Sequence, residues 1–180
     1  GSSSSTKKKR AKKSKKAANK QRDGPILDDA DDASLAELDG PALQRLPEDR
    51  RESVAQYLKG LGNKAYSSKK YNEAIQSYTK AIAASPSAVF FSNRAACYSN
   101  LGKLEEVIKD CDEALKMDNT YVKALNRRAV AAEQLGAAAD QAGKEGEAAR
   151  AYLERSLSDF TAVAILGKFQ DMSCLLYTSD

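Results

Sequence analysis

Lys123 and Arg127 stand four residues apart in the stretch VKALNRRAVAAEQLG. On a helix this spacing puts two cations on one face, where they repel by about 0.2–0.5 kcal/mol. An anion held against that face reverses the sign, because Lys and Arg give charge-assisted N–H donors to carboxylate oxygens. Lys59 and Asn63 in LKGLGNKAY, and Asn93 in SNRAACY, add one more ammonium and two amides of the same donor chemistry. A peptide ending in an acidic residue carries two carboxylates at its end and suits such a set, with Asn also gripping its backbone.

Other chemistry is argued against by composition. The chain of 180 residues contains no His, the commonest general base and metal ligand. Cys97, Cys111 and Cys174 are an odd number without CxxC spacing, so neither a disulfide framework nor a four-ligand metal site is indicated, and a reducing, cytosol-facing setting fits best. We expect no catalytic residue, no metal and no cofactor, hence no enzyme. The segment GLGNKA, 60–65, matches a loose dinucleotide fingerprint, but it lies inside a helical pattern with no strand before it. No apolar run reaches the ~18–20 residues that cross a bilayer. The chain does not begin with Met, which leaves room for an anchor or targeting segment upstream of residue 1.

Charge and composition divide the chain. Its net charge is +4, yet the first twenty residues hold nine Lys or Arg and no acid, which leaves −5 for the rest. Residues 1–22 read as a basic disordered tail. It is open to four roles: a solvated tether, a patch for anionic lipid, a nuclear-localisation match, or nonspecific nucleic-acid contact. Residues 23–46 carry seven acids against one Arg, with Gly-Pro pairs at 24–25 and 40–41, and read as an acidic linker with a short helical turn near 33–38. Pro47 at a first helical position, followed by EDRR and then ESVAQYLKGLGNKAY, marks the start of the folded part, 47–170.

That part repeats with a period of 34 residues. The units are 55–88, 88–121 and 122–170, the last interrupted by an Ala/Glu-rich insertion, 137–155, that delays its second helix to 156–166. The pattern resembles the tetratricopeptide repeat, a helical hairpin whose small residues at positions 8 and 20 allow close helix approach. Here Gly62 with Ala74, and Ala95 with Val107, fill those places, while Pro86 and then Asn119 occupy the terminator position. The resemblance implies an all-α, right-handed solenoid of about three hairpins. Phe160, Ile165, Leu166 and Phe169 then lack a further neighbour to cover them. The aromatic residues Tyr57, Tyr66, Tyr71, Tyr78 and Phe90 fall at packing spacings, with Phe91 and Tyr98 partly lining the groove. Residues 171–180 continue no repeat.

Within a unit, first-helix positions 4, 7, 8 and 11 pack, while positions 2, 5, 6 and 9 lie roughly 160° away at 100° per residue. The second stripe holds Lys59, Asn63, Asn93, Lys123 and Arg127, facing the concave groove. This set resembles the carboxylate clamp of chaperone-binding tetratricopeptide domains, on the matching text LKGLGNKAY, SNRAACY and VKALNRRA. Arg94 and Arg128, beside it, read as structural or rim charges. The stretch VFFSNRAACYSNLGKLEEVIKDCDEALKMDNTYVKALNRRAVAAEQLG, the late SLSDFTAVAIL and the lysine-rich tail are together similar to the large tetratricopeptide receptors of the mitochondrial outer-membrane translocase, fungal type. That resemblance implies an anchored receptor at the outer membrane, facing the cytosol. Its clamp docks the Glu-Glu-Val-Asp ends of seventy- and ninety-kilodalton heat-shock chaperones and so brings mitochondrial precursor proteins to translocase components. A soluble, cytoplasmic co-chaperone adaptor and a targeting module of a larger enzyme share the clamp and remain open. No nucleic-acid partner is expected.

Overall fold

The computed structural model describes residues 31–141 and 147–176, with side chains for 31–140 and 147–167. They belong to one unit beginning at Asp31. In order, the helices are α1 (Asp32–Leu35), α2 (Gly40–Leu43), α3 (Glu48–Ser67), α4 (Tyr71–Ala84), α5 (Ala88–Asn100), α6 (Leu104–Met117), α7 (Val122–Gln141) and α8 (Glu147–Leu176). No strand occurs among the described residues, and the architecture is the expected all-α solenoid of helical hairpins. From α3 onward each helix packs on the next, and α5 also packs on α7.

Local sequence sets the helix ends. Pro47 is the residue before α3 rather than its first, and Glu48 and Asp49 follow in the first turn, where acids oppose the positive end of the helix dipole. The α3–α4 and α5–α6 turns close alike: Lys70 N–H donates to Ala65 O at 2.9 Å and Lys103 N–H to Tyr98 O at 3.0 Å. Each passes through one left-handed residue, Lys69 (φ 59°) and Gly102 (φ 69°). At the α4–α5 and α6–α7 junctions Pro86 and Asn119 follow the helix ends, and Asp118 folds the second junction by accepting from Thr120 N–H at 3.0 Å.

Small residues let the paired helices approach. A Cβ on Gly62 would lie 2.6–2.9 Å from the Tyr78 ring, so α3 and α4 meet there only because Gly62 has none. Ala74, Tyr78 and Cys97 form one buried cluster, and Ala95, Val107, Ile108, Cys111, Ala114, Ala124, Ala131 and Ala132 form another.

Two stretches are more ordered than their composition suggests. Of the acidic segment expected to be a linker, residues 31–46 fold into α1 and α2, packed on α3 and α4, and bury Leu35, Leu43 and Leu46. Asp31 and Asp39 cap these helices, accepting from Ser34 N–H at 2.7 Å and Ala42 N–H at 2.9 Å. The insertion extends both helices of the third hairpin: α7 runs to Gln141, and α8 starts at Glu147, ahead of the expected 156. Ion pairs give its length. Arg94 bonds Asp110, 16 residues on, and the equivalent Arg128 bonds Asp159, 31 residues on, an excess of 15. The backbone of α8 remains helical to Leu176, into the stretch that continues no repeat. Phe160 and Ile165 are 38% and 51% exposed, Leu166 is half-buried, and the side chain of Phe169 lies outside the described residues. The basic tail, 1–22, and the first part of the linker, 23–30, also lie outside them.

Candidate functional site

Asn63 on α3, Asn93 on α5 and Arg127 on α7 line one small pocket of about 110 Å³, together with Tyr66, Tyr78 and Ala96. The first helix of each hairpin thus contributes one of the five polar residues singled out by spacing. Lys59 and Lys123 do not line it. Each lies one helical turn N-terminal to a pocket residue, Lys59 before Asn63 and Lys123 before Arg127. The Lys59 ammonium donates to Gln56 Oε1. Lys123 is exposed and has no hydrogen-bond or ion-pair partner among the described residues.

The pocket is built from donors. Tyr78 O–H donates to Asn63 Oδ1 at 2.7 Å, which leaves the Asn63 Nδ2 hydrogens for another acceptor. Arg127 is half-buried; its Nη1 donates to the Ser92 hydroxyl, and no carboxylate pairs with it among the described residues. Its positive field reaches Tyr78, Cys97 and Cys111, favouring their ionised forms. Burial opposes and wins, pushing the Tyr78 hydroxyl up to about 12 and the Cys97 and Cys111 thiols up to about 11 and about 12. These groups stay protonated near neutrality, so none of them supplies an anion to pair with Arg127. The thiols are buried and neutral, which removes them as nucleophiles.

The two neighbouring arginines are occupied. Arg94 grips Asp110 through Nε at 2.8 Å and Nη2 at 2.7 Å, and its Nη1 donates to Thr79 Oγ1 at 2.9 Å. Arg128 grips Asp159 with the same two-pronged geometry, at 2.8 and 2.7 Å, and reaches Asp112 at 2.6 Å. Bonding to these carboxylates pushes both guanidinium values up. Both arginines are structural, tying first helices to second helices.

Phe91 and Tyr98 do not line the pocket. They pack on the larger core cluster and flank the Arg94 guanidinium, 5.7 and 6.0 Å from the ring centroids. Tyr66 and Ala96 take that place. Tyr66, grouped by spacing with the core, is 37% exposed, and its hydroxyl accepts from Asn100 Nδ2 at 3.2 Å. Its position three residues after Asn63, hence on the same face, was the signal available for it. Among the described residues no group of His, Cys, Asp or Glu could hold a metal ion, and no helix is long and apolar enough to cross a membrane.

Comparison with known proteins places the arrangement among relatives. The family described as tetratricopeptide repeat matches residues 88–121. The second TPR of Spaghetti (RPAP3), solved bound to the HSP90 peptide SRMEEVD, is similar at 32% identity and a TM-score of 0.56, over 66% of this chain and 96% of that one. Yeast Tom70 is similar at 31% identity and a TM-score of 0.48, over 66% of this chain but 26% of its own. The Arabidopsis OM64 TPR domain follows at 29% identity and 0.47, over 59% of this chain and 96% of that domain.

Proposed function

Since the chain belongs to the tetratricopeptide-repeat family, we propose that its groove docks the acidic C-terminal tails of heat-shock chaperones. The carrying observation is Arg127, a half-buried cation with no carboxylate of its own among the described residues, sharing a pocket with two Asn side chains. A C-terminal carboxylate there accepts from Arg127, Asn63 and Asn93, while Lys59 and Lys123, a turn away along α3 and α7, meet the acidic side chains before it. The RPAP3 domain supports this reading, having been solved with the HSP90 peptide SRMEEVD. The repeats are a protein-interaction module. No bond is made or broken, and binding concentrates whatever the chaperone carries near the place where the module is held.

The finer reading is an import receptor on the cytosolic side of the mitochondrial outer membrane, which receives chaperone-held precursors for translocase components. It rests on the sequence resemblance. In its native cells the protein then cofractionates with mitochondria; a uniformly cytosolic distribution contradicts that placement and favours the co-chaperone adaptor.

Docking itself is tested by titrating the 180-residue chain with SRMEEVD. Arg127→Ala weakens binding about 10- to 100-fold, as expected for loss of a charge-assisted contact. Unchanged affinity would remove the role assigned to Arg127.

A further inference from the structure

We propose that Tyr78 and Ser92 are positioning residues of this pocket, each fixing one ligand-facing side chain through a single hydrogen bond while leaving its remaining donors free. The proposal rests on the docking reading. Tyr78 O–H donates to Asn63 Oδ1 at 2.7 Å across the first hairpin. An amide has one accepting and one donating end, and without this bond it can turn its oxygen toward the groove, where it would repel a carboxylate. Tyr78 is 2% exposed and its ring rests against Gly62, so its hydroxyl is itself fixed.

Ser92 acts on the other side. Its side chain is fully buried on α5, beside Asn93 in sequence, and its hydroxyl accepts from Arg127 Nη1 on α7. The contrast with the neighbouring arginines gives the reason. Arg94 and Arg128 are held by carboxylates, which fix them and also neutralise them. A neutral hydroxyl fixes Arg127 and leaves its charge for a ligand. The same bond ties α5 to α7, so the spacing between Asn93 and Arg127 is held across the hairpin boundary.

The test uses the 180-residue chain, the peptide SRMEEVD, and Tyr78→Phe and Ser92→Ala, which remove one oxygen each. Each variant should bind about 3- to 10-fold more weakly. In double-mutant cycles, Ser92→Ala should lose its effect when Arg127 is already Ala, and Tyr78→Phe when Asn63 is already Ala. Native-like affinity of both single variants overturns the proposal, as does equal weakening in both backgrounds, the signature of a general structural role. A second readout needs no peptide: separate Nη signals of Arg127 in NMR spectra, reporting restricted rotation, should merge in Ser92→Ala. If the native chain does not bind SRMEEVD, the docking reading falls. The role of Ser92 is then decided by those signals, and Arg127 signals already merged in the native chain overturn it.

Discussion

A guanidinium with no acid beside it is tolerable only where water or a ligand can reach it, and Arg127 is half-buried and lines a pocket rather than being sealed in. Asp110 shows the opposite case: burial pushes its carboxyl up, and the two-pronged bond from Arg94 offsets part of that. Gly62 is sensitive to added volume. Gly62→Ala drives a methyl into the Tyr78 ring and should destabilise the chain by about 1–3 kcal/mol, read as a lower urea midpoint, and loosen Asn63 as well. Tyr78, Cys97 and Cys111 all have folded values above their usual 10.0, 9.0 and 9.0. Their contribution to stability is therefore intact below pH 9 and is lost as the pH rises through 11 to 12. Thermal unfolding at pH 8 and pH 11 should show the midpoint falling on the alkaline side; an unchanged midpoint would contradict burial of these groups. At this scale Asn63, Asn93 and Arg127 were legible in the sequence, because a helical stripe repeated in successive units is a periodic signal. The hydroxyls of Tyr78 and Ser92 were not, since a residue's class says it is core and only packing says where its oxygen points.

Among the elements, the hairpin turns show what sequence alone leaves at less than optimum. Gly102 serves its left-handed position without strain, whereas Lys69 holds the same conformation with a Cβ. Lys69→Gly should raise stability by about 1 kcal/mol in urea unfolding, and Gly102→Ala should lower it by a similar amount; the reverse order would contradict the turn geometry. The main helices were legible through their period and their punctuation by Pro86, Gly102 and Asn119. The short helices α1 and α2 were not, because four residues are too few to display a period and the surrounding acids dominate the composition. Their apolar content is confined to residues such as Leu35, Leu43 and Leu46, whose partners lie on α3 and α4. The long insertion was legible as an excess, but its absorption into α7 and α8 follows from the Arg–Asp register, which only the paired side chains reveal.

At the scale of the whole molecule, contacts from α3 onward run mainly from each helix to its neighbour, so the described residues behave as a short one-dimensional stack. Such a stack gathers Asn63, Asn93 and Arg127, far apart in sequence, onto one face without any single element spanning the site. It also leaves its last helix half covered, with Leu157 70% exposed and Ile165 51% exposed on α8. Docking depends on the gathered face recognising a carboxylate at the end of a chain. The most direct measurement is calorimetric titration of the native protein with SRMEEVD as the free acid and as its C-terminal amide. Binding of the free acid at least about 10-fold tighter is the predicted result, the difference of one charge-assisted contact set. Equal affinity for the two peptides would contradict it.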